Sequence, residues 1–266
     1  MAGDGAGHDR RVVVWRFLET APADGAFNMA VDDALLRSVR AGGPPTLRLY
    51  AWSPPCLSLG RNQPARGEYD AVRLASAGID LVRRPTGGRA VLHDDELTYA
   101  VAAPVQLFGS PRRAYRRVNE VLAEALRRLG AATTIQGGER SAPALSTTPC
   151  FAEPAVGEIV AGGRKVVGSA QVVEGGALLQ HGSIPVGRST ALSNAPADLL
   201  PLLDGRPMLV GEIVPGASRG SIAAAIRDAW TDLVGPLHTG SLEEEERAIV
   251  AHVEGQYRSS EWRCRR

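Results

Sequence analysis

Lys165 is the only lysine among 30 basic residues, which leaves 29 arginines. Such an imbalance means that lysine has been lost wherever one cation serves as well as another. An amine that survives alone is a candidate for work a guanidinium cannot do, because an ammonium is a compact point charge with a tunable pKa and a guanidinium is a wide, permanently charged fork. Chance survival is the competing explanation, and composition alone does not separate the two. The chain also holds three cysteines, Cys56, Cys150 and Cys264. An odd number in 266 residues argues against a disulfide framework, so a cysteine with a role is expected to act as a free thiol. Only the thiolate is nucleophilic, and a nearby ammonium favours it.

A second stretch with chemical content is RRPTGGRAVLHDDELTYAV (83–101). Gly87 and Gly88 let backbone approach a ligand closely, and consecutive N–H groups there can hold an anionic or carbonyl oxygen. The turn is not a P-loop, because no Gly-Lys-Ser/Thr follows, and it is not a dinucleotide fingerprint, because no helix opens after it. A plain hairpin connection uses the same residues. His93 with Asp94 and Asp95 resembles a metal or acid–base group, but adjacent residues on a strand face opposite sides, and polar groups at a strand edge explain them equally well.

The elements that must position these residues follow from periodicity. A helix is expected from Asn28 to Arg40, with Val31, Leu35 and Val39 on one face and Asp32 and Asp33 in the first turn, complementing the helix dipole. Strands are expected at 46–52, 56–61, 79–84 and 95–104, and a short helix at 68–77. PRRAYRRVNEVLAEALRRLG (111–130) reads as an amphipathic helix whose apolar face includes Tyr115, Val118, Leu122 and Leu126, with arginines opposite. Residues 137–157, including Cys150, lack periodicity and form a long loop. From Glu158 a meander follows, EIVA, RKVVGSAQVV and ALLQHGSIPV, with turns at Gly162-Gly163 and Glu174-Gly175-Gly176. Strict alternation puts Lys165, Val167, Ser169 and Gln171 on one face of the middle strand. Helices are expected at 218–234 and 241–257, the second capped by the serine of SLEEEE. The whole reads as one α+β domain with a mixed sheet. Its expected limits are a tail and first strand over 1–24, the domain proper over 25–260 and a tail over 261–266.

Three blocks in order, RRPTGGRAVLHD, GRKVVGSAQ (163–171) and LLQHGSI (178–184), resemble the lipoate-protein ligase, biotin ligase and octanoyltransferase superfamily. The resemblance spans roughly residues 25–260 and implies an α+β fold, a mixed β-sheet core with flanking helices, around a pocket for a medium-length acyl chain. ATP-dependent lipoate ligases of that superfamily usually carry a third small residue after the two glycines and an Asn-Asp pair ahead of the lysine strand. This chain has Arg89 at the first place and CFAEPAVGEIV (150–160) at the second. That combination is similar to the cysteine-dependent octanoyl-[acyl carrier protein]:protein N-octanoyltransferases. The resemblance makes Cys150 the nucleophile and Lys165 its partner, and assigns substrate binding to Arg84, Gly87, Gly88, Arg89, His93, Gly168, Ser169, Ala170, His181 and Gly182.

Its chemistry is coherent on its own terms. Moving an acyl group from one thioester to a lysine amine through an enzyme thioester splits one step into two exchanges. Lys165 would favour the thiolate and hydrogen-bond the developing oxyanion with help from backbone N–H groups. His181 is a lesser candidate proton acceptor; Cys56 reads as a core thiol and Cys264 as a surface thiol. The implied donor is octanoyl-acyl carrier protein, and the implied acceptor a lipoyl domain or the glycine-cleavage H protein; no cofactor or metal is expected. The alternative is an ATP-dependent lipoate or octanoate ligase, in which Cys150 is incidental. A non-enzymatic acyl-carrier-binding regulator would predict loss of Cys150 or Lys165, and both are present. A net charge of +1 gives no argument for nucleic-acid binding, and no apolar run is long enough to span a bilayer. A cytoplasmic protein is therefore expected. RRAYRR (112–117) is a solvated helix face or a dock for an acidic carrier.

Overall fold

The computed structural model describes residues 13–65, 69–137, 151 and 156–265. Cys150 and most of the 137–157 stretch lie outside them, as does the N-terminal tail.

Eight strands form the main sheet: β1 (Trp15–Glu19), β2 (Thr46–Tyr50), β6 (Glu96–Pro104), β7 (Thr134–Ile135), β8 (Ile159–Ala161), β9 (Arg164–Glu174), β10 (Ala177–Pro185) and β11 (Leu237–Thr239). Their order is β11-β1-β2-β6-β10-β9-β8-β7, parallel at the β11-β1-β2 end and antiparallel from β2 to β7, so the sheet is mixed. On β6, Leu97, Tyr99, Val101 and Ala103 pack toward α3 (Pro111–Arg128) and α7 (Arg219–Leu233), while Ala100 and Ala102 pack toward α1 (Gly25–Arg40) and α8 (Glu244–Arg258). Helices cover both faces, which is why this strand is apolar from Tyr99 to Pro104. A second sheet was not anticipated. It has the order β4-β3-β5, from β3 (Cys56–Leu59), β4 (Asp80–Arg83) and β5 (Val91–His93), and packs with α2 (Ala71–Ser76) and the segment 191–203.

Some helix termini differ from the sequence reading. Helix α1 starts at Gly25, with the Asp24 carboxylate accepting from the Phe27 N–H at 2.9 Å. Asp32 and Asp33 therefore lie beyond the first turn and do not complement the dipole. Asp33 pairs with Arg37, while Asp32 is buried against Arg48 at 2.7 Å. Helix α8 is capped by Glu243 in a reciprocal box with Glu246, not by a serine. A last helical turn, α9 (Ser260–Arg263), docks on Arg83, which donates to the Trp262 and Arg263 carbonyls. The limit drawn at 260 thus falls inside a packed element.

Candidate active site

The glycine turn joins β4 to β5, but these strands are not neighbours, because β3 lies between them. A hairpin connection is excluded. Instead the turn crosses the end of β3 and is held there from inside. Arg84, buried, donates from Nε and Nη2 to the Gly87 carbonyl at 3.2 and 2.8 Å, and from Nη2 to the Arg89 carbonyl at 2.7 Å. Its Nη1 donates to the Ser58 carbonyl at 2.9 Å and the Ser58 hydroxyl at 3.1 Å. The Thr86 carbonyl accepts from the Arg61 N–H at 2.8 Å. Gly60 permits this crossing, since a Cβ there would collide with the Gly88 carbonyl. Because a trans peptide points its N–H opposite its C=O, fixing the Thr86 and Gly87 carbonyls also fixes the Gly87 and Gly88 amides.

Beside the turn runs a narrow cavity. Of the ten expected substrate-binding residues, Arg84, Gly88, His93, Gly168, Ser169, Ala170, His181 and Gly182 line it. Gly87 and Arg89 are not in its wall. The sequence reading missed Met29, Tyr50, Trp52, Ser58, Val91, Thr98 and Ser183, which come from α1, β2 and the residues after it, β3, β5, β6 and β10 and complete the wall. Most are apolar or small residues with no motif of their own, so only the fold brings them here.

Two buried hydrogen-bond chains underlie this wall. In the first, the Asp32 carboxylate accepts from Arg48 and from the Tyr50 hydroxyl, meets His181 Nδ1 at 2.8 Å, and His181 Nε2 meets the Thr86 hydroxyl at 2.6 Å. Burial alone would raise the Asp32 pKa; the His181 hydrogen bond and the Arg48 charge outweigh it and hold the carboxyl below its ordinary value. Burial likewise drives the His181 pKa down against the opposing pull of Asp32. In the second, Glu96 meets His93 Nδ1 at 2.8 Å, and His93 Nε2 meets the Ser58 hydroxyl at 2.7 Å. Glu96 also accepts from Trp52, Thr98 and Ser183, and Trp52 stacks on the His93 ring at 4.0 Å. Asp94 does not join His93: it accepts from Ser189, Thr190 and the Ala191 N–H, pinning the loop after β10.

Lys165 is buried, with Nζ 2.7 Å from Glu158 Oε1, and the carboxylate is buried with it. Glu158 was not singled out in the sequence, although it directly precedes β8, the strand paired with the lysine strand. The expected face of Lys165 is corrected. Ile159 pairs with Val167 but Val160 pairs with Lys165, so Val166 is an extra residue and the alternation breaks. Ser169 turns its hydroxyl toward Tyr99 and Asn119 on the α3 side. Lys165 lies on the other side, its Cε 3.5 Å from where a Cβ on Gly168 would sit. Phe151, the residue after Cys150, packs at the same point: its Cζ is 3.0 Å from that Cβ position, and Lys165 Nζ is 5.2 Å from its ring centre. Phe151 also lines an open cleft of ≈ 630 Å³, together with Ala90, Val91, Arg164 and the segments 187–193 and 203–207. Cys56 is fully buried in β3, and burial, with Asp80 nearby, pushes its thiol pKa well up, which fits an inert core thiol. Cys264 is half-buried. Among the described residues, no helix is long and apolar enough to cross a membrane.

A mixed sheet with helices on both faces, a clasped glycine turn and a lysine strand facing it define a family. Residues 24–195 match the lipoyl protein ligase A/B catalytic domain, and the chain belongs to that family. Among its relatives, octanoyltransferase LipM of Moorella thermoacetica is 50% identical over 175 residues, 64% of each chain. Octanoyltransferase LipM of Kyrpidia tusciae is 36% identical over 95% of this chain and 99% of its own length. A solved structure of lipoate-protein ligase A bound with ATP superposes with a TM-score of 0.78 at 25% identity, over 95% of this chain and 99% of that one.

Proposed function

We propose that this chain is an octanoyltransferase of lipoate biosynthesis that moves octanoyl from acyl carrier protein to Cys150 and then to the lysine of a lipoyl carrier domain. Relatives named octanoyltransferase support the reaction, including one matched over nearly its whole length. The observation that carries the mechanism is the seat of Lys165, buried against Glu158 and beside the residue that follows Cys150 in the chain.

In the first exchange the Cys150 thiolate attacks the donor's thioester carbonyl; a new C–S bond forms, the old one breaks and the carrier's thiolate leaves. In the second, the carrier-domain amine attacks the enzyme thioester, an amide forms, the C–S bond to Cys150 breaks, and the released thiolate takes up the proton that the amine gives up. The donor is already an activated thioester, so no nucleotide enters. Both steps pass through an oxyanion. Lys165 and the Gly87 and Gly88 N–H groups are the donors we assign to it, with the turn's carbonyls already tied down by Arg84 and Arg61.

The alkyl chain would occupy the narrow cavity. At ≈ 40 Å³ it is smaller than an eight-carbon chain, so occupancy requires lining side chains to give way, and Met29, unbranched and adaptable, is the one suited to it. The ≈ 630 Å³ cleft beside Phe151 would take the donor's prosthetic arm. That cleft is also what favours the ATP-dependent ligase alternative, since it has room for a nucleotide. The two readings separate in one assay. The transferase octanoylates a lipoyl domain from octanoyl-acyl carrier protein with no nucleotide and releases no pyrophosphate from ATP plus free octanoate or lipoate. Pyrophosphate release that depends on the free acid would establish the ligase.

The donor and acceptor carriers are expected to be small acidic domains. On α3, Arg112, Arg113 and Arg116 are exposed; Arg116 and Arg117 share Glu120 at 2.8 and 3.4 Å, and Arg112 and Arg113 make no ion pair among the described residues. Reversing the charge of Arg112 and Arg113 is expected to raise KM for a carrier-borne donor and flatten the salt dependence of the rate. Identical kinetics in low and high salt before and after reversal would return these residues to a solvated helix face.

A further inference from the structure

The two buried chains have the same order, carboxylate to imidazole to hydroxyl, and both end on the glycine turn. Asp32 leads through His181 to Thr86, which is a turn residue. Glu96 leads through His93 to Ser58, and from Ser58 through Arg84 to the Gly87 and Arg89 carbonyls.

Proton positions follow by elimination. Arg84 can only donate, so the Ser58 oxygen accepts from it and keeps its proton and second lone pair for His93 Nε2. Asp32, held ionised, can only accept, so His181 donates from Nδ1 and its Nε2 accepts the Thr86 proton. Burial holds the His181 ring neutral, which fixes it as one tautomer. Burying this much polarity beside an apolar cavity gives little net stability compared with an apolar filling of the same shape. What it supplies is direction, because a hydroxyl bound to a neutral imidazole nitrogen has one permitted orientation.

We propose that His181 is a positioning residue for acyl transfer, holding the Thr86 hydroxyl and through it the Gly87 and Gly88 amides in the geometry that meets the thioester oxyanion. This rests on the transferase reading above and assigns a role to a ring that otherwise only lines the cavity. A protonated His181 donates from Nε2 to the Thr86 hydroxyl where the neutral ring accepted from it, so the hydroxyl loses its fixed orientation on acidification. The charged and titratable groups facing the ring are Asp32 of α1, Arg48 and Tyr50 of β2, Arg84 after β4 and His93 of β5. Burial, with Arg84 and His93 adding to it, keeps His181 neutral at pH 7.

The test is the pH profile of octanoyl transfer to a lipoyl domain for the wild type, Thr86→Val and Thr86→Ser. Thr86→Val keeps shape and removes the tether. It should lower kcat about 100-fold, as a misplacement of about 1 Å does, with KM for the donor nearly unchanged. Thr86→Ser keeps the hydroxyl and should recover most of the rate. The wild type should lose activity as pH falls through the His181 transition, and Thr86→Val should lack that limb. Wild-type kcat in Thr86→Val, or equal damage in both variants, would overturn the proposal. If Thr86→Val does not fold by thermal melting, Thr86→Ala, which adds no bulk, takes its place under the same criteria. Absence of nucleotide-free transfer by the wild type would sink the transferase reading instead, and the same series in the ATP-driven reaction would still decide the tether.

Discussion

Cys150→Ala is expected to abolish octanoyl transfer, by about four orders of magnitude or more in kcat, the scale seen when a covalent nucleophile is removed. Cys56 is sealed in β3 with its thiol pKa driven well up by burial, so it cannot take over the nucleophile's role. Cys264 directly follows α9, which docks on Arg83, and is half-buried there. The measurement is carrier-domain octanoylation by mass, with thermal melting alongside to verify that the variant is folded. Substantial residual transfer by folded Cys150→Ala would remove the covalent mechanism.

Lys165→Arg is the second large effect. The charge is unchanged, yet we expect a loss of about 10²–10³ in kcat, the cost of removing one preorganised oxyanion donor. The reason lies in the fit: the ammonium sits 2.7 Å from Glu158, the side chain's Cε is 3.5 Å from the Gly168 Cβ position, and the Phe151 ring packs at the same point. A guanidinium is wider than that space and its donors diverge in a fixed fork. Lys165→Ala should do more. It breaks the buried Lys165–Glu158 ion pair, a change that costs about 3–5 kcal/mol. It should also move the alkylation of Cys150 by iodoacetamide to higher pH. An unchanged alkylation profile would mean that Lys165 does not activate the thiol. Glu158→Gln separates the two roles: it keeps a hydrogen-bond acceptor but frees the ammonium's field, so alkylation at a given pH should quicken even as positioning of Lys165 weakens.

Much of the fold was legible in local pattern. The meander from Ile159 to Pro185 was marked by glycines at 162, 163, 175 and 176, all at positive φ in the structure. Long-range facts were not. Asp32 looked like a dipole residue because its partner Arg48 is sixteen positions away on another element, and nothing local announces a buried pair. The second sheet was hidden because β4 and β5 are close in sequence and look like a hairpin, while the strand between them comes from upstream. The direction of Lys165 failed on one extra residue, Val166, which strict alternation cannot foresee. Eight expected binding residues converge on one cavity, because glycine and histidine motifs mark backbone approach and buried polarity. Trp52, Met29 and Tyr50 complete the wall as ordinary core residues, and only packing shows it.

The central claim is that acyl passes through the Cys150 thiol without a nucleotide. Mixing the protein with octanoyl-acyl carrier protein in the absence of ATP and the acceptor, then measuring intact mass, tests it most directly. The account predicts a gain of one octanoyl group, mapped by peptide analysis to Cys150 and discharged when a lipoyl domain is added. An unmodified protein that nonetheless octanoylates the lipoyl domain, or an adduct on another residue, would contradict it.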